Sequence, residues 1–176
     1  MLPGHTSKVQ FTRYSRDMKA ASLSEIKKEL IELPPKQLAE LCLALAKYKK
    51  DNKEFLDYLL FESHDNAAFV KEIKSEIDAY FSELRGQPNL YYVKKSLRKL
   101  LRIITKYCKY IGDKAISAEL HIYFCLKLKE SSIPFRKSQL LVNMYEQQLK
   151  KINTLIATLH EDIQGDFASD CEKIMF

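Results

Sequence analysis

The sequence predicts an all-α fold, a single-domain helical bundle or short α–α superhelix of about seven helices. Three observations predict it. Glycine and proline supply only 9 of 176 residues, so tight turns are few and the elements between them are long. Apolar residues recur at spacings of three and four through most of the chain, the period of one helix face. No segment alternates β-branched with polar residues as a half-buried strand would, and no repeat period emerges. The length suits one domain, and a chain of this size buries about 70% of its unfolded surface without staples.

Residues 1–21 read as a basic tail, with Lys8, Arg13, Arg16 and Lys19 against one acid, Asp17, and no sustained apolar period. A disordered extension is the expectation, with a transit peptide or a nucleic-acid arm as alternatives. Met18 opens an alternative start. The helical domain is expected over residues 22–176. Ser22 with Glu25 three residues on is a capping box, in which each side chain satisfies the other's orphan amide. Leu23, Ile26 and Leu30 follow at helical spacing. Pro34-Pro35 ends this helix, and Pro35 suits the first turn of the next, where its missing amide costs nothing. Leu38, Leu41, Cys42 and Leu45 mark the second helix's expected buried face. Asp51 with Glu54 repeats the capping pattern and opens a short helix through Phe55, Leu59 and Leu60.

A fourth helix, capped by Asp65 or Asn66, carries Phe69, Ile73, Ile77, Tyr80, Phe81 and Leu84, and Gly86 is its left-handed stop. The fifth runs from Pro88-Asn89 to Gly112. The sixth, from Lys114 to Glu130, is apolar on nearly every side, which predicts a central position. Ser131 to Pro134 is a break. The seventh is expected to be the longest. Tyr145, Leu149, Ile152, Ile156, Leu159 and Ile163 step by four and three, a heptad seam along helix 138–163. That seam reads either as an internal contact or as a homodimer contact. A short helix near Asp166 to Ile174 closes the chain.

The stretch Ser-Leu-Ser-Glu-Ile-Lys-Lys-Glu-Leu-Ile-Glu-Leu from Ser22, with Gln37-Leu38-Ala39-Glu40-Leu41 after it, resembles the opening of a family of small bacterial helical proteins catalogued only as a domain of unknown function. The likeness continues through Phe55-Leu56-Asp57-Tyr58 and into the region from Val93 to Leu100, and covers residues 22 to about 165. It implies an all-α fold and carries over no activity and no functional residue.

Much chemistry lacks its signature. Cys42, Cys108, Cys125 and Cys171 are widely separated, without a C-x-x-C pair, which predicts free thiols in a reducing compartment, the cytoplasm. No apolar run approaches the ~20 residues that span a bilayer. None of the four histidines has a glutamate three residues before it, as an inward-facing di-iron pair requires. His121 and Cys125 share a helical face, but two ligands do not make a metal site, and a buried core pair is the plainer account. The four glycines are isolated, so no loop cradles phosphate, and no G-x-S-x-G elbow occurs. Glu161, Asp162, Asp166, Asp170 and Glu172 lack calcium-loop spacing. No catalytic residue, metal or cofactor is expected.

Charge is unevenly placed. Residues 22–89 hold ten cations and thirteen acids, residues 113–176 eight and nine, and residues 90–112 seven cations and no acid. Lys94, Lys95, Arg98, Lys99, Arg102, Lys106 and Lys109 fall within one sector of roughly 140°, with Tyr92 and Ile103 at its borders. Leu90, Val93, Leu97, Leu100, Leu101, Ile104, Cys108 and Ile111 lie opposite. Helix 90–111 is therefore expected to show a cationic stripe about 25 Å long. Like charges at these spacings repel by a few tenths of a kcal/mol per pair. Acidic helices of the same fold could relieve that repulsion, or a bound polyanion could, by releasing counterions. Together these readings predict a non-catalytic scaffold that binds other proteins. The alternative is non-specific nucleic-acid binding through the basic face, with attachment to an anionic membrane and catalysis further behind.

Overall fold

Nine α-helices follow one another through residues 20–175, the residues described by the computed structural model: α1 Leu23–Glu32, α2 Pro35–Tyr48, α3 Lys50–Asp57, α4 Asn66–Glu83, α5 Leu90–Ile111, α6 Lys114–Glu130, α7 Gln139–Ile156, α8 Glu161–Asp166 and α9 Ala168–Ile174. A π-turn, Tyr58–Glu62, extends α3, and a 3-10 turn, Phe135–Lys137, leads into α7. No strand occurs among the described residues, so the fold is all-α. Most of the basic tail, residues 1–19, lies outside them.

Local chemistry starts and stops these helices. The Ser22–Glu25 capping box closes as expected, with Ser22 N–H donating to Glu25 Oε2 at 2.8 Å and Glu25 N–H to Ser22 Oγ at 3.3 Å. Asp65, Asn89 and Asp113 each accept a first-turn amide of α4, α5 and α6. Gly112 ends α5 at φ 72°, in the left-handed region where a side chain would be strained.

α6 occupies the centre, packed by α4, α5, α7 and α9. Leu120, Phe124, Cys125 and Leu128 are wholly enclosed, and Phe124 meets Phe81 of α4 with ring centroids 5.8 Å apart. The apolar edge of α5, including Val93, Leu97, Leu100 and Ile104, completes the core opposite its cations. The Tyr145 hydroxyl of α7 donates to the Ile174 carbonyl at 2.6 Å and so fastens α9.

Three expectations need correction. Leu38, Leu41, Cys42 and Leu45 are not a buried face: the three leucines are exposed and Cys42 is half-buried, because among the described residues α2 packs mainly along α3. The Asp51–Glu54 capping box does not form. The helix begins two residues earlier, with Lys49 as its N-cap, so Asp51 falls inside the first turn and Glu54 turns to lysines. Nor is the seventh helix the longest, since α7 has 18 residues and α5 has 22. α7 stops at Ile156, where the Thr158 hydroxyl donates to the Leu155 carbonyl and His160 turns extended to cap α8. Tyr145 and Ile152 of the seam are buried within the chain, while Ile163 is exposed on α8.

His121 is fully buried on α6, and neither ring nitrogen has a hydrogen-bond partner. Burial foremost, and then the charge of Lys151, lower its pKa to about 4; Gln148 opposes the shift without closing a hydrogen bond. Its ordinary value is 6.5, so between these pH values the unfolded chain binds the proton that the folded chain refuses. Stability is therefore full above about pH 6.5 and falls toward pH 4, by about 3 kcal/mol from this group. His121→Leu is expected to remove that acid limb in thermal unfolding, and to leave the neutral-pH stability equal or higher because an unsatisfied pair of polar atoms is gone.

Candidate basic groove and apolar arm

The seven cations of α5 do not form one uniform stripe. At one edge, Lys106 meets Glu54 of α3 with Nζ 2.5 Å from Oε2. Burial pulls the Lys106 ammonium down, but the carboxylate outweighs it and holds the group above its ordinary value. The same bond holds Glu54 below the usual carboxylate range. Lys99, near that edge, lies over the Tyr80 ring of α4 at 5.6 Å from its centroid, and Tyr80, then Glu83 and Glu76, raise its pKa. Lys106 is thus paired with an acid of the same chain, while Lys99 rests on the Tyr80 ring with the acids of α4 nearby and no ion pair.

The other edge faces α7. There Lys94, Lys95, Arg98 and Arg102 line a groove of about 690 Å³. Tyr91, Leu101, Leu140 and Met144 add apolar surface to its lining, and Asn143, Gln147 and Gln148 of α7 add amides. None of the four cations has an acid within 4.0 Å among the described residues, and the same holds for exposed Lys109. The division follows from where α3, α4 and α7 pack around α5. Lys99 and Lys106 fall within ~20° of each other on the α3–α4 side, and Lys94 and Arg98 lie about 100° around the axis toward α7.

The second feature carried no signal beyond its periodicity. Helices α1 and α2 contain no buried residue at all. Leu23 is 86% exposed, Ile31 69% and Tyr48 80%, and Leu43, Leu45, Leu60 and Phe61 are each more than half exposed. α3 and its π-turn join this arm to the body: Phe55 and Tyr58 stack with Tyr110 of α5, and Tyr58 also packs on Phe69 of α4. Tyr58 is buried and donates to Asn66 Oδ1 at 2.9 Å. The arm is thus anchored at its root, and its apolar face is uncovered along two helices.

His121 and Cys125 sit in the core as a histidine with no partner and a thiol that burial pushes up to about 12, which suits neither a ligand nor a nucleophile. No group of three or more His, Cys, Asp or Glu side chains able to hold a metal occurs among the described residues. His160 and Asp162 are exposed, and all four thiols are free. No described helix is long and apolar enough to cross a membrane.

No family model, curated protein or solved structure matches the chain.

Proposed function

We propose that the protein is a non-catalytic helical interaction module that binds protein partners through the uncovered apolar face of α1 and α2. One observation carries this reading: large apolar side chains are exposed together along two amphipathic helices rather than scattered singly. Fully burying one leucine or isoleucine contributes about 1.5–3 kcal/mol, so covering several of them offsets a large part of the entropy of fixing the arm. A ten-residue helix with no packed face is marginal in water, which makes a partner part of the arm's own stability. The four free thiols support a reducing compartment, the cytoplasm in this reading.

The test is affinity capture from a lysate with the full chain and with Leu41→Ser/Leu45→Ser, whose side chains are exposed on one face of α2. The wild type is expected to retain defined proteins that the variant loses at unchanged melting temperature. Equal retention by both would contradict the reading.

A second reading rests on its own observation. Lys94, Lys95, Arg98, Arg102 and Lys109 have no acid within 4.0 Å among the described residues, so the groove side of α5 suits a polyanion held backbone-first, as in non-specific nucleic-acid binding.

A further inference from the structure

We infer that the groove between α5 and α7 receives helix α1 of a second copy of this chain, an inference that rests on the interaction reading of the arm and names its partner. Each half of the contact is on the same molecule, and each is incomplete alone. On the wheel of α1, Leu23, Ile26 and Leu30 share a sector of about 60°. Glu25, Glu29 and Glu32 share a sector of about 60° directly beside it, and Lys27 borders the opposite side. α1 is therefore an apolar ridge flanked by one acidic row, and all three glutamates are exposed.

The groove has a complementary lining: cations of α5, apolar side chains of both helices, and neutral amides of α7. A helix seated with its ridge on Leu101, Leu140 and Met144 turns Glu29 and Glu32 toward Lys94, Arg98 and Arg102. It leaves Lys27 toward Asn143 and Gln147, where no charge opposes it. The lengths agree as well. Residues 91–102 span about 17 Å of α5, and the ten residues of α1 span about 15 Å. Such burial would cover apolar surface of both halves and set two carboxylates against the cations of the groove. The contact is heterologous, arm into groove, so it closes reciprocally as a swapped dimer or continues as a chain of copies. It does not use the α7 seam, whose Tyr145 and Ile152 are already buried.

Sedimentation velocity of the full chain over a wide concentration range, at low and high salt, tests this. The wild type is expected to rise above 20.6 kDa with concentration and to return to it at high salt. Glu29→Lys/Glu32→Lys, which spares the capping Glu25, and Arg98→Glu/Arg102→Glu are each expected to weaken association by about tenfold or more. Mixing the two variants is expected to restore association, since the reversed arm of one matches the reversed groove of the other. That rescue excludes misfolding as the cause of the losses. A wild type that stays at 20.6 kDa throughout overturns the inference, as does association that neither variant disturbs. Protection of α1 amides in a concentration-independent monomer would assign the groove to the chain's own arm and also overturn it. Short duplex DNA that binds the groove while the chain remains monomeric would transfer the groove to the polyanion reading. In any of these cases, loss of captured partners in the α2 variant would still uphold the interaction reading.

Discussion

Phe124→Ala is expected to destabilise the protein by about 3–5 kcal/mol, whereas Leu45→Ala on α2 is expected to change stability by less than about 0.5 kcal/mol. Phe124 is wholly enclosed on the central helix, against Phe81, and its truncation leaves a cavity that the surrounding helices of a close-packed core fill only in part. Leu45 is more than half exposed and loses little on truncation. Both are apolar residues at regular helical spacing, so the contrast separates the covered body from the uncovered arm. Denaturant unfolding of the two variants measures it. A cost for Leu45→Ala near that for Phe124→Ala would mean that the arm is packed in solution.

The polyanion reading predicts an effect of similar size in binding. Four or five phosphate contacts made by Lys94, Lys95, Arg98, Arg102 and Lys109 give a salt slope that lowers duplex affinity by about 10²-fold between 50 and 200 mM salt. Changing Lys94, Arg98 and Arg102 to Glu is expected to abolish that binding, because attraction at three positions becomes repulsion. Changing Lys99 to Glu is expected to weaken it far less, since Tyr80 and the acids of α4 already hold Lys99. Fluorescence anisotropy with short DNA and RNA duplexes reads both. Equal losses from the two changes would mean that the stripe acts as a uniform field rather than through the groove.

The body of the fold was legible in the chain because its signals are local and agree with one another. The capping side chains at Ser22, Asp65 and Asn89, the left-handed Gly112 and the all-round apolar α6 each specify a boundary or a place without reference to distant residues. The arm was misread because an amphipathic period shows that a face is apolar without showing what covers it. α2 has the same spacing as a core helix and lacks only the neighbour. The Asp51–Glu54 box misled for a related reason: Glu54 was free to serve the local amide, but Lys106, 52 residues away, offers a stronger partner.

The cationic sector of α5 could be drawn on a wheel, yet its division could not. Whether a cation faces Glu54 and Tyr80 or the open groove depends on where α3, α4 and α7 pack, which is tertiary information. The seam of α7 was right in its first four positions, and it failed where Thr158 and His160, each with a local hydrogen bond, follow the end of the helix.

The claim that joins these observations is that α1 and α2 present an apolar face that the fold itself leaves uncovered. Hydrogen exchange resolved helix by helix, in a sample dilute enough to be monomeric, tests it most directly. The account predicts amides of α1 and α2 that open at almost no free-energy cost while those of α6 exchange only through global unfolding, and it predicts that the arm becomes protected when the protein is concentrated or its partner is added. Protection of α1 and α2 equal to that of α6 in the dilute monomer would contradict it.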